Sequence, residues 1–381
     1  LLRMQQRLIT SSCILTHLPL PFIRLRGLSA GLSHTPPVPF RDELIGIYRR
    51  HKHQVGATMS PSRAPSGMDA AQQSDVHISA ACDGGNIEFG GTNKQGAFDL
   101  SIRPDPFCPS DNATHFQWFN FRASNLARGT PSTFNITNAG QASFPGGFKD
   151  YDVVASYDAS IWFRLPASFD GKVLSWTVEP KHPSMHFAYF APYPSQRHAE
   201  LVAELQQVDG VQLSVLGQTL DGRDLDLLQI GTPGEGKRVA WIIARQHPGE
   251  TMAEWAAEGL LRRLTDRHDP ISRALLQSTV FYVVPNMNPD GSARGHLRTN
   301  AAGANLNREW AEPSMERSPE VFCVRNAMDR TGVDIMVSGE CGCGRAWQEL
   351  SCRHGWRVHP GRAVAASCPC CGWLDVTCWV A

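Results

Sequence analysis

The chain carries no net charge to speak of: its 381 residues hold 36 Lys plus Arg against 36 Asp plus Glu. That balance argues against nucleic acid, or an anionic membrane surface, as a partner held by bulk charge. Long apolar runs are missing too. The most apolar early stretch, 13–23, is broken by His17, Pro19 and Pro21, and no run reaches the ~18 residues that a membrane span needs. No internal repeat is visible. Acidic residues are absent before Asp42, whereas Arg3, Arg7, Arg24, Arg26 and Arg41 lie there among several Ser and Thr. Such an opening resembles an organelle transit peptide, the alternative being a leader outside the true product, with Met59 or Met68 as the start. Cysteine is scarce over the first 340 residues, where only Cys13, Cys82, Cys108 and Cys323 occur. This bulk reads as a reduced, cytoplasmic protein, or an organellar one if the basic leader is real.

What is present points to two domains. Hydrophobic residues make up 42% and charged residues 19% of the chain, ordinary for a globular protein. Residues 1–76 read as leader and linker. From 77 to 194 come short runs rich in aromatic and β-branched residues, at 97–102, 116–122, 132–137, 152–157, 161–165, 173–178 and 185–190. Turn formers such as Asn125, Gly129 and Asp170-Gly171 separate them. Regular short strands between breakers predict an all-β sandwich. At Ser195 the period changes. Leu201, Val202, Leu205 and Val208 share a helical face behind Ser195, the expected N-cap. Strands are predicted at 211–217 and 225–230 around the turn Asp221-Gly222, and at 239–244, 280–285 and 333–337. Helices are predicted at 251–264 and 318–328, the second started by Ser318-Pro319-Glu320. Alternating strands and helices over 195–337 predict an α/β domain with a mixed sheet.

His247-Pro248-Gly249-Glu250 follows the apolar run 239–244. Residues three apart on a helical turn face the same way, so an imidazole and a carboxylate can converge on one cation, and zinc accepts both. Alone the pair is weak: with 14 His, about one such match is expected by chance. Its context is stronger. It stands at the carboxyl end of a predicted buried strand, where open α/β sheets place ligands. Three further polar clusters follow, each after a strand or in a Gly-rich loop: Asn286-Met287-Asn288-Pro289-Asp290-Gly291, then Arg298-Thr299-Asn300, then Asn305-Leu306-Asn307-Arg308. Arg298 and Arg308 are suited to bidentate capture of a carboxylate or to steadying an oxyanion, and Asn307 could add a second donor.

The runs ARQHPGETMAEW, NMNPDG, RGHLRTN and GANLNREW resemble the zinc carboxypeptidases, in particular their cytosolic carboxypeptidase branch. The upstream runs FQWFNFRAS, TFNITNAG, YDVVASYD and HFAYFAPY resemble the β-sandwich domain that precedes the peptidase domain in that branch. The resemblance implies an eight-stranded mixed sheet and one Zn2+ held by His247 and Glu250 among its ligands. It implies an oxyanion-stabilising Arg298, with Asn307 and Arg308 gripping the substrate's C-terminal carboxylate. Water activated by the zinc would attack the last peptide bond, with a Glu later in the family sequence as general base. The implied partners are peptide or protein C-termini, including glutamate-rich tails such as those of tubulin. No nucleic acid or membrane partner is expected.

The pattern departs after Val337. The family's third zinc ligand is a His in a His-Gly-Asp-Glu type segment, whereas here the chain reads Ser338-Gly339-Glu340-Cys341-Gly342-Cys343. Glu340 falls about where that His is expected. The last 41 residues hold seven cysteines, no Lys and two acidic residues, Glu349 and Asp375. Three readings of 338–381 stand open. It is a product of an altered reading frame; it is a genuine zinc-binding tail, using the Cys368/Cys371 pair and its neighbours; or Glu340, His354 or His359 completes a variant metal site. On the first reading the peptidase domain is C-terminally incomplete. The alternative to an active enzyme is then a non-catalytic protein that still binds acidic peptide ends through Arg298, Asn307 and Arg308.

Overall fold

A computed structural model describes residues 75–108 and 115–341, with side chains through Gly339, and the backbone of two later strands, Val364–Ala366 and Leu374–Val380. The leader before residue 75 and the side chains of the cysteine-dense tail, Glu340, His354 and His359 among them, lie outside the described residues.

Nine strands build the first domain: β1 (His77–Ser79), β2 (Glu88–Thr92), β3 (Phe98–Ser101), β4 (Asn120–Ser124), β5 (Ser132–Ile136), β6 (Asp152–Ser156), β7 (Trp162–Phe169), β8 (Leu174–Val178) and β9 (Ser184–Ala188). Their spatial order is β1-β4-β9-β6-β7-β8-β5-β3-β2. β7 is the corner. Its first half, to Pro166, pairs with β6, and Ala167 to Phe169 pair with β8. A strand that changes partners midway folds one half of the sheet over the other. The two inner faces meet in an aromatic core. Phe121 and Phe187 come from one half and Phe134 and Trp176 from the other, with Phe134 and Phe187 ring centroids 4.8 Å apart. The domain is thus the expected sandwich, closed enough at β7 to approach a barrel. The short strands β1 and β2 carry little apolar signal and are additions to the sequence reading.

The second domain runs α1 (Ser195–Leu205), β10 (Val211–Gln218), β11 (Asp224–Ile230), β12 (Arg238–Ala244), α2 (Thr251–Leu264), α3 (Pro270–Ser278), β13 (Thr279–Val284), α4 (Pro289–Arg294), α5 (Pro319–Thr331) and β14 (Ile335–Cys341), followed by β15 (Val364–Ala366) and β16 (Leu374–Val380). The sheet order is β10-β11-β13-β12-β14-β16-β15. β12 is parallel to both β13 and β14, and the remaining pairs are antiparallel, so the sheet is mixed. Seven strands are present among the described residues, against the eight that the resemblance implies. β12 is buried on both faces, which explains its unbroken apolar run. Trp241 and Ile243 pack towards α5, while Ala240 and Ile242 pack towards α1 and α2.

Several local readings are corrected. Ser195 is the first helical residue and not the cap; Pro194 holds the cap position without a side-chain bond. The Ser195 N–H is instead taken by Asp83 Oδ2 of the sandwich, at 2.5 Å. The strand expected at 333–337 runs from Ile335 to Cys341: β12 pairs in parallel with Ile335–Gly339, and antiparallel pairing with β16 carries the strand on to Cys341. α3 was not foreseen, although Asp269 caps it through Ile271 N and Ser272 N, with Pro270 at its first turn.

Candidate functional site

The carboxyl ends of β12 and β13 carry the polar clusters. After Ala244 the chain makes a tight turn. Arg245 takes a left-handed backbone, φ 52°, a conformation that costs a non-glycine L-residue energy and persists where its surroundings impose it. Here they do. The Arg245 guanidinium donates to Pro248 O (3.0 Å), to Tyr193 O (2.7 Å) and to Glu254 Oε2 (2.7 Å). The His247–Glu250 turn is thereby held from below by a buried cation.

His247 and Glu250 are both buried, 2% and 9% exposed. Glu250 sits at the N-terminal cap position of α2, yet its carboxylate makes no capping bond. It faces His247 instead, with Oε2 3.3 Å from Nδ1. Two ligands on adjacent corners of a tetrahedral zinc site, each about 2.0–2.2 Å from the ion, stand roughly 3.3–3.5 Å apart. The pair therefore fits two corners of a zinc site, and the residue types suit that ion. No group of three or more His, Cys, Asp or Glu with metal-holding geometry occurs among the described residues. The segment that would carry a third ligand begins at Glu340, where described side chains end.

The downstream clusters are tied to this turn. Gly249 N donates to Leu297 O at 2.9 Å, joining the His247–Glu250 turn to the segment that bears Arg298. Asn288 Nδ2 reaches Gln246 O at 3.3 Å, and Trp310 Nε1 reaches Gln246 Oε1 at 2.6 Å. NMNPDG is thus more than a sharp turn: Asn288 caps α4 through Gly291 N, Pro289 opens it, and Gly295 closes it in the left-handed region at φ 74°. Asn307 and Arg308 lie on a single 3-10 turn, Leu306–Arg308, capped by Asn305. Asn307 is buried, and its Oδ1 has no hydrogen-bond partner among the described residues. Arg308 is exposed, with Nη1 3.1 Å from Asn307 O. Arg298 is half-buried.

Two residues of the sandwich enter the same region, and the sequence reading missed both. Burial lowers the pKa of His115, opposed by the charge of Asp105 and aided by those of Arg298, His247 and Arg308. His115 thus stands within electrostatic range of His247 and of both arginines. Asp105, 5% exposed, accepts hydrogen bonds from the segment Leu297–Thr299. Neither has a local pattern around it. Their relevance arises only once the two domains pack as one compact unit.

Behind the turn lies a chain of buried charge. Glu254, fully buried, accepts from Arg245 and Asn286 and meets His198 Nδ1 at 2.7 Å. His198 Nε2 in turn meets Asp226 Oδ2 at 3.1 Å. Burial works against a charged His198, but the hydrogen bonds and charges of Asp226 and Glu254 win and lift its pKa to about 9.

Residues 78–190 match the cytosolic carboxypeptidase N-terminal domain, and residues 200–329 match the zinc carboxypeptidase family. An uncharacterized protein of Zymomonas mobilis is 47% identical over 262 residues, which cover 69% of this chain and 66% of that protein. Mouse cytosolic carboxypeptidase 6 is 32% identical over 262 residues, 64% of this chain. The chain spans only 48% of the length of that mouse protein. Among solved structures, a metallo-carboxypeptidase from Pseudomonas aeruginosa in complex with (2-guanidinoethylmercapto)succinic acid superposes with a TM-score of 0.65. It is 43% identical, with 69% of this chain and 70% of that one covered.

Proposed function

The chain belongs to the zinc carboxypeptidase family, and on that premise we propose that it is a zinc-dependent metallocarboxypeptidase removing C-terminal residues from peptides or proteins. The observation that carries this reading is the buried His247–Glu250 pair at ligand spacing, hydrogen-bonded through Gly249 to the segment that bears Arg298. Zinc, when bound, supplies a Lewis acid that polarises the scissile carbonyl and activates water.

The chain's own residues do the rest. His247 and Glu250 hold the ion, and Arg245 holds their turn. Arg298 faces the developing oxyanion, where a preorganised cation in a dry site stabilises the transition state more than the ground state. Asn307 and Arg308 receive the terminal carboxylate; the unpartnered Asn307 Oδ1 suits a peptide N–H next to it. Arg298 and Arg308 both act electrostatically on His115, and this local positive charge is in keeping with acidic ends; glutamate-rich tails such as those of tubulin are the proposed substrates. A cytoplasmic setting follows the cytosolic relatives, and no helix among the described residues is long and apolar enough to cross a membrane.

The test is hydrolysis. The zinc-supplemented chain is incubated with peptides ending in consecutive Glu residues, and free Glu is measured. Release that stops on chelation, and falls at least about a hundredfold in His247→Ala, is expected. Tight peptide binding with no release, unaltered by chelator, would instead identify a non-catalytic binder of acidic ends.

A further inference from the structure

The segment that bears Arg298 is held by the other domain. Asp105 lies in the sandwich, after β3, with its backbone N–H bonded to His115 O at 2.8 Å. Its carboxylate accepts Leu297 N at 2.6 Å, Arg298 N at 2.8 Å, Thr299 N at 2.9 Å and Thr299 Oγ1 at 3.0 Å. Three successive backbone N–H groups converging on one anion form a nest, a shape that ordinarily captures a bound anion. Here the nest is filled by a side chain from the neighbouring domain. Fixing the N–H groups on both sides of Arg298 fixes its φ and ψ, and with them the direction in which its side chain leaves the backbone.

The clamp extends along the loop. Asn86 Nδ2 donates to Gly295 O at 3.0 Å, and Gly84 N donates to Ala293 O at 2.9 Å. At the far end Gly303, at φ 74°, lies so close to Phe107 that a Cβ would meet the Phe107 carbonyl oxygen at 2.4 Å. Leu297 packs against the sandwich core. A carboxylate as buried as Asp105 is costly unless its partners repay the lost hydration, and among the described residues its side chain accepts four hydrogen bonds from 297–299.

We propose that Asp105 is a positioning residue for Arg298, so that the sandwich domain presets the oxyanion-binding guanidinium of the neighbouring domain. This rests on the role given to Arg298 above. It means that the sandwich supplies part of the peptidase site's geometry, and that an isolated peptidase domain would lack this restraint on the backbone at Arg298.

The test uses the zinc-loaded full chain and a peptide whose last amide is replaced by a phosphinate, a stable mimic of the tetrahedral oxyanion. Affinities for this probe and for a plain peptide with a free terminal carboxylate are measured in wild type, Asp105→Asn, Asp105→Ser, Arg298→Ala and the double variants. Hydrogen exchange at 297–299 is followed in parallel without metal. Expected are faster exchange at those amides and a loss of about tenfold to a hundredfold in phosphinate affinity for the Asp105 variants. Plain-peptide affinity should move less than about twofold, and no further phosphinate loss should occur in the Arg298→Ala background. If Arg298→Ala weakens the phosphinate while Asp105→Asn and Asp105→Ser do not, the inference falls and the functional reading stands. Equal losses with and without Arg298 would make Asp105 merely structural. A silent Arg298→Ala would remove the functional reading and the inference with it.

Discussion

His198 holds a charge that its burial opposes. Glu254 and Asp226 keep it protonated, with a pKa of about 9 against about 6.5 when unfolded. A pKa raised in the folded state adds stability that is complete below about pH 6.5 and is lost as pH rises through about 9. The melting temperature should therefore fall between pH 6.5 and 9.5 more steeply in wild type than in His198→Gln, by at least ~2 °C. Parallel pH profiles in the two proteins would contradict the charge assignment. The same chain of groups shows what a single residue conceals in a sequence. Arg245 stands next to a recognisable motif, yet nothing in the order of residues says that it is buried at φ 52°, or that it supports Pro248. Those facts depend on Tyr193 and Glu254, which arrive from other elements.

Elements were more legible than residues, for a physical reason. β12 and β13 are buried on both faces and so announce themselves as apolar runs, and the Leu201, Leu205 face of α1 repeats at helical spacing. α3 has equally good local signals in Asp269-Pro270, yet it is short and only Ser272 on it is buried, so it adds no core-facing run to the sequence. Within helices, two glycines with the same intrinsic propensity predict opposite outcomes. Gly259 lies in α2 with open space around it, so Gly259→Ala should stabilise the protein by about 1 kcal/mol. Gly291 lies in α4, where a Cβ would meet Thr299 O at 2.4 Å and Pro248 Cγ at 2.5 Å. Gly291→Ala should cost about 1–3 kcal/mol, because α4 must then separate from both the Pro248 turn and the Arg298 segment. Urea denaturation of both variants checks the pair; equal shifts would mean that α4 does not pack as described.

At the scale of the whole molecule, the sequence divides into two domains that the fold joins at the Asp83–Ser195 contact and along one loop. Residues 293–303 touch the sandwich at Gly84, Asn86, Asp105 and Phe107, and the His247–Glu250 turn at Gly249. The motif runs named His247, Glu250, Arg298, Asn307 and Arg308 as candidates, because each motif is continuous in the chain. Asp105 and His115 stayed hidden because their partners lie roughly 130–200 positions away, and pairing at that distance leaves no periodic trace. Every role proposed for the site depends on the metal. Zinc titrated into the metal-stripped full chain should bind at one ion per chain, and His247→Ala or Glu250→Gln should each weaken that binding by at least about a hundredfold. Zinc bound with undiminished affinity in both variants, or lost only on replacing the tail cysteines, would contradict a metal centre at the His247–Glu250 turn.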